Sequence, residues 1–343
     1  MNALDEFAPF SLLSLLTGTL IYAFREFYII VLNVNKHEDG RTGYMNYGFW
    51  NEGSSTKNPH ANLVKAVIEQ LDVRVLNKHA ENGQVNLLEI GCGLGQPAID
   101  AVHSLGTFYP RIHPRSSLTW GLPGSNTNVT GVSISKGHVT AANRLAISAG
   151  LSPKITHHLL NAAEIGKLQS APFSGAYSCE VLSEIPDEGL RACFTALHDA
   201  LPPGAEFSYA DIVSTEVTPT SHTKSRKSPD PSQGFFKKLL LLIAPTAVTM
   251  LWGDDWRPAS RFNSLLSQAG FEVLSTESIG DRVFVPTWDH ARERIQKRPT
   301  MGINDSRFNS WVLKFLTKAS LGGLALLWEN GQIDYVLVKA RRV

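Results

Sequence analysis

The chain has little of what would place it in several large classes of protein. Only three of its 343 residues are cysteine, Cys92, Cys179 and Cys193. That excludes a disulfide-stapled scaffold, and the three positions lack metal-ligand spacing. A reducing, cytoplasmic compartment is the expectation. No His, Cys and Asp cluster with ligand spacing is present either, so no metal is expected. Neither sign of charge is in excess: 32 Lys and Arg stand against 31 Asp and Glu, which gives no electrostatic ground for a nucleic-acid partner. Internal repeats are absent. Charged residues make up only 18% and hydrophobic residues 43%, too apolar a balance for a disordered chain. A chain of this length holds about two domains, or one α/β domain with insertions.

What is there begins with an apolar amino terminus. Phe7 to Phe24 is free of charge, Arg25 and Glu26 interrupt the run, and Phe27 to Val34 resumes it. A helix over the first part spans about 27 Å, the lower edge for a membrane crossing. A secretory leader opens on positive charge, whereas Asp5 and Glu6 are acidic. Ser11, Ser14, Thr17, Gly18 and Thr19 also dilute the stretch. Two readings stay open for residues 7–34: helices packed on the catalytic domain or lining an apolar pocket, and a membrane anchor or interfacial helix.

Further along, strands and helices alternate. Leu63, Val67 and Leu71 put a helix over Asn62 to Leu76. Val85 to Ile90 reads as a buried strand, followed by a helix from Pro97 to Leu105, where Pro97 suits the first turn. Gly106 to Asn128, rich in Pro, Gly, Ser and Asn, reads as a surface insertion. Strands are expected at 129–135, 155–160, 175–180, 206–213, 271–278 and 333–340, and helices at 136–149, 189–200 and 258–269. Such alternation predicts an α/β domain around an open, mostly parallel sheet. Ser214 to Gln233 is polar, Phe235 to Trp252 is a second apolar stretch, and Asp281 to Gly331 is a late insertion.

The chemistry is expected at the turn after the strand at residues 85–90. Its sequence is Gly91-Cys92-Gly93-Leu94-Gly95, between an acidic strand end at Glu89 and a helix. Glycines let backbone approach a ligand, and the helix amino terminus offers free N–H groups to a negative end. A dinucleotide fingerprint needs a third glycine where Gln96 stands, and the Gly-Lys-Ser/Thr of a phosphate loop is absent.

Leu87 to Gly95 resembles motif I of class I S-adenosylmethionine-dependent methyltransferases. Four more segments resemble that family's small-molecule branch in order: Tyr44 to Trp50 its aromatic lid, Val129 to Ser135 its second-strand motif, Asn161 to Glu164 the segment after strand three, and Ser178 to Asp187 the exit of strand four. The branch includes antibiotic-sugar O-methyltransferases and tocopherol and phthiotriol-type methyltransferases. The resemblance implies a Rossmann-like fold with a seven-stranded, mostly parallel sheet and helical cap insertions, and S-adenosylmethionine as cofactor. It divides the chain into apolar helices and lid (1–50), cofactor-binding core (51–214), apolar cap (215–257) and the rest of the core (258–343) with its insertion at 281–331.

Carried over by position, Gly91, Gly93 and Gly95 receive the cofactor's methionine part, with Glu89 near its ammonium group. Ser133, with Ser135 and His138 beyond it, stands where the ribose is held. Asn161 and Ala162 meet the adenine, Cys179 and Glu180 line the methyl-transfer end, and Tyr44 and Trp50 cover the sulfonium. For the catalytic base the candidates are Glu184, a carboxylate whose burial would raise its pKa, and His290. The expected activity is methyl transfer to a lipophilic small molecule such as a secondary metabolite, with oxygen the favoured acceptor. The apolar and aromatic insertions, with Phe235, Phe236, Trp252, Trp256, Trp288 and Trp311, would wall the pocket. The alternatives are a protein of the same fold that binds the cofactor without methylating, a cyclase or scaffold, and a lipid or sterol C-methyltransferase.

Overall fold

A computed structural model describes residues 43–54, 56–106, 126–168, 172–215, 256–297 and 321–343. The amino-terminal run at 7–34, nearly all of the cap at 215–257 with Phe235, Phe236 and Trp252, and Trp311 lie outside the described residues. Among the described residues no helix is long and apolar enough to cross a membrane.

The chain elements in order are β1 (Asn51–Ser54), α1 (Pro59–Gln70), α2 (Val73–Lys78), β2 (Gln84–Ile90), α3 (Gln96–Gly106), β3 (Asn126–Ser133), α4 (Lys136–Ser148), β4 (Ile155–Leu159), β5 (Gly175–Cys179), α5 (Asp187–Ala200), β6 (Glu206–Ser214), α6 (Ala259–Gln268), β7 (Phe271–Ser278), α7 (Phe284–Lys297) and β8 (Ile333–Arg342). Two expectations are corrected. The single helix over 62–76 is two helices, because Asp72 caps a new start: its carboxylate accepts from the Arg74 amide at 2.8 Å. The insertion after α3 ends earlier, with Asn126 to Asn128 already in β3 and paired to β2.

The seven-stranded sheet runs β4-β3-β2-β5-β6-β8-β7. All neighbours pair in parallel except β8, which is antiparallel to both β6 and β7. Strand order reverses between β2 and β5, and in open α/β sheets ligands bind at the carboxyl ends beside such a switch. The central strands are buried on both faces, as near-continuous apolar runs such as Val85 to Ile90 require. One core, with Leu63, Val67, Leu87 and Tyr177, lies under α1 and α3. The other, with Leu88, Leu190, Phe194, Phe207 and Phe262, lies under α5 and α6.

At the amino end of β6, far from that switch, Glu206 is fully buried. It accepts from the Asp72 amide at 2.7 Å and pairs with Lys339 at 3.0 Å and Arg341 at 3.1 Å. Removing one partner of a buried pair is costly because the other is left uncompensated. Lys339 and Arg341 keep some solvent, which lowers the cost. Glu206→Ala should therefore destabilise by about 2–3 kcal/mol, read as a lower urea midpoint, while activity per folded molecule stays unchanged.

Candidate active site

After β2 the chain turns through Gly91, Gly93 and Gly95 with φ of 80°, 47° and 93°, a region that L side chains rarely adopt. The three differ in what surrounds them. A Cβ at Gly91 would run into the Val181 side chain, and one at Gly95 would stand 2.7 Å from Ala142 Cα in the backbone of α4. At Gly93 the nearest atom is Met45 Sδ at 3.4 Å, an ordinary contact. Gly91 and Gly95 are thus closed by protein, whereas a Cβ at Gly93 would meet only the flexible Met45 side chain at ordinary contact distance. The amino terminus of α3 follows directly at Gln96.

The exits of β3 and β4 lie side by side, because Ser133 O accepts from the Leu160 amide at 3.0 Å. Ser133 Oγ accepts from the Ser135 amide at 3.2 Å, and Ser135 caps α4 by accepting from the His138 amide at 3.3 Å. Asn161 is exposed and Ala162 buried; the Asn161 side-chain oxygen caps the turn Ala162–Lys167 through the Ala163 amide at 3.0 Å. Ile134, between Ser133 and Ser135, is 78% exposed.

At the exit of β5, Glu180 has φ 55°, uncommon for a residue with a side chain. Its Oε1 accepts from the Tyr47 amide at 2.8 Å and from Tyr335 OH at 2.7 Å. Oε2 makes no hydrogen bond among the described residues. Burial pushes the Glu180 carboxyl up to about 8 against the pull of those two donors. Burial, with the Glu180 charge beside it, also raises the Cys179 thiol well above its ordinary value. Asp211 on β6 supports the turn: Oδ2 accepts from the Val181 and Ser183 amides, both at 3.1 Å, and Oδ1 accepts from the Ile212 amide at 2.8 Å. Burial holds its carboxyl near 6. Glu184 is exposed. Glu180, four residues earlier, is half-buried.

The aromatic segment is fastened on three sides. Tyr44 donates to the Asp100 carboxylate on α3, and its ring stacks on His60 at 5.9 Å. Tyr47 N–H holds Glu180. Trp50 is turned toward α7: its amide donates to Arg282 O at 2.8 Å, its indole N–H donates to Thr287 Oγ1 at 2.8 Å, and its ring lies 4.9 Å from that of His290. Tyr44 and His290 therefore sit at opposite ends of the lid. Tyr335, Asp211 and Tyr47 were not foreseen. Tyr335 follows Glu180 by 155 residues, and no local pattern links the two.

No family model matches the chain. An O-methyltransferase from Pyrenophora dematioidea is 22% identical over 89% of this chain and 91% of its own length. The 27-O-demethylrifamycin SV methyltransferase of Amycolatopsis mediterranei is 22% identical over 87% of this chain and 89% of its own. Among solved structures, the cyclase SpnF shares the fold with a TM-score of 0.58 at 17% identity, over 93% of this chain and 95% of its own. The strand order of the sheet and methyltransferase relatives aligned over most of the chain support S-adenosylmethionine-dependent methyl transfer as the activity, in agreement with the resemblance of the five motifs to class I methyltransferases.

Proposed function

We propose that the protein methylates an oxygen of a lipophilic small molecule, with Glu180 taking the acceptor's proton. The observation that carries this is the half-buried Glu180 carboxylate, whose Oε1 accepts from the Tyr47 amide and Tyr335 OH and whose Oε2 makes no hydrogen bond among the described residues. The oxygen acceptor is supported by the relatives, one of which is named as an O-methyltransferase and the other of which acts, by its name, on an O-demethylated rifamycin.

The residues fit the cofactor. Gly93 leaves room for backbone to meet its methionine end, the α3 amino terminus favours the carboxylate there, and the Glu89 carboxylate answers the ammonium. Ser133, Ser135 and His138 are assigned to the ribose. Asn161, Ala162 and the exposed Ile134 are assigned to the adenine, and Cys179 to the methyl-transfer end. When bound, the cofactor supplies an electrophilic methyl group on a sulfonium. The protein's own part is to orient an acceptor hydroxyl, exclude water and receive the proton at Glu180 Oε2. Tyr335 and the Tyr47 amide favour the ionised form that can accept it. Tyr44 covers the site from α3, while Trp50, Thr287 and His290 anchor the lid.

A second reading is a cyclase on the same fold, which the likeness to SpnF favours. Incubation with methyl-labelled S-adenosylmethionine and a panel of phenolic and macrocyclic acceptors separates the two. Label in an ether product, undiminished by EDTA, supports O-methylation. A rearranged, unlabelled product supports cyclisation, and label on carbon points to C-methylation. Tolerance of EDTA is expected because no group of three or more His, Cys, Asp or Glu among the described residues could hold a metal.

A further inference from the structure

One row of the sheet is polar at its centre. Across β4, β3, β2 and β5 the register aligns His157, Gly131, Glu89 and Tyr177. Glu89 is 2% exposed and the His157 side chain is fully buried. His157 Nε2 and Glu89 Oε2 stand 3.7 Å apart, beyond hydrogen-bond distance. Those two atoms and Tyr177 OH are sealed from solvent without a hydrogen-bond partner among the described residues. Buried polar atoms normally have partners, so three orphans in one row are a feature to be explained.

Gly131 makes the juxtaposition possible. His157 and Glu89 are on strands separated by β3, and a Cβ at position 131 would run into His157 Cδ2 and lie 3.0 Å from Glu89 Oε2. Without it, the imidazole reaches across β3 to the carboxylate. The other edge of the ring is fixed as well. The His157 amide donates to Asn143 Oδ1 at 3.0 Å and Asn143 Nδ2 donates to His157 O at 3.0 Å, which settles which Asn143 atom is oxygen. His157 Nδ1, 3.2 Å from that same oxygen, must then carry a proton. A neutral ring of this tautomer would aim the Nε2 lone pair at a carboxylate. A proton on that edge would replace the repulsion of facing lone pairs with attraction across the 3.7 Å gap.

We propose that His157, oriented by Asn143, is a positioning residue that holds the Glu89 carboxylate for the ammonium group of the cofactor. It acts through Glu89, and the inference rests on the reading above that Glu89 meets that ammonium. The His157 ring neutralises and orients one carboxylate oxygen and leaves the other to the ligand. A cationic group close by is the partner a buried carboxylate needs.

The test is calorimetry on the whole chain with S-adenosylhomocysteine and with its analogue lacking the amino group. The parent should prefer the amino form by about 10–100-fold, the worth of a hydrogen bond to a charged group. His157→Phe, which keeps the ring volume and removes the donor, should lose most of that preference and leave affinity for the deaminated analogue within about twofold. His157→Gln, whose amide can donate to Oε2, should regain part of it. Melting of each unliganded variant shows that it folds. If His157→Phe weakens both ligands equally, or neither, the positioning role is overturned. A parent that binds S-adenosylhomocysteine without preferring the amino form would overturn the Glu89 assignment and the proposal with it, leaving the cofactor in place. A parent that binds neither ligand would sink the functional reading itself.

Discussion

Gly93→Val should fold and should bind S-adenosylmethionine at least about 100-fold more weakly than the parent, a loss of roughly 3 kcal/mol. Gly91 and Gly95 cannot give so clean a result, because their missing side chains are replaced by protein. At Gly95 any Cβ meets the backbone of α4, 2.7 Å from Ala142 Cα, and backbone does not move aside cheaply. Gly95→Val should therefore damage the fold. At Gly93 the first neighbour is the flexible Met45 side chain at 3.4 Å. The remaining penalty is the φ of 47°, which costs an L residue about 1–2 kcal/mol, tolerable against a total stability of about 5–15 kcal/mol. The branches of valine then project from the turn on the side that the proposed function gives to the methionine end of the cofactor. Calorimetry gives the affinity and thermal melting gives the fold. A folded Gly93→Val protein with parental affinity would remove that end of the cofactor from this turn.

That contrast also marks how far the sequence could be read. The glycine turn, the strand before it and the helix after it are local: apolar run, positive-φ residues and helix start follow one another within about a dozen residues, so pattern alone locates them. The alternation of later strands and helices is legible for the same reason, and the sheet it predicts is the sheet observed. The division of labour among the three glycines was not legible, because Val181, Ala142 and Met45 come from three distant segments. His157 lay in plain view within Ile155-Thr156-His157-His158. Strand alternation puts it on the buried face with Ile155 and leaves His158 outside, but its partner is two strands away and depends on a glycine between. Glu184 and His290 are the base candidates that the motifs offer; Glu180 comes forward only with the fold, because Glu184 is exposed while Glu180 is half-buried at the turn that Asp211 holds from β6.

Glu180→Gln should lower turnover by about 100- to 10,000-fold, the usual worth of a positioned acid or base, with cofactor affinity little changed. The pH profile makes the role specific. Burial raises the Glu180 carboxyl from the ordinary range to about 8, so at neutral pH much of the unliganded protein carries a proton there. A base must be ionised to act, so kcat/KM should climb with rising pH and level off above about 8, and this limb should vanish in Glu180→Gln. Tyr335 tests the same carboxylate from its other side. Its hydroxyl donates to Oε1 at 2.7 Å and favours the ionised form, so Tyr335→Phe should move the limb to higher pH while sparing the plateau. Stability runs the opposite way. A carboxyl raised in the folded state binds its proton more tightly there than in the unfolded chain, so its contribution is complete below the unfolded value and is lost as pH rises through about 8. Replacing it with Gln removes that loss, and the Glu180→Gln melting temperature should fall less than the parent's between neutral pH and pH about 9. An inactive Glu180→Gln protein whose stability profile matches the parent's would mean that the carboxyl does not titrate in this range. A Glu180→Gln protein that keeps its rate and its pH limb would move the proton acceptor to another group, with Glu184 and His290 next to be replaced.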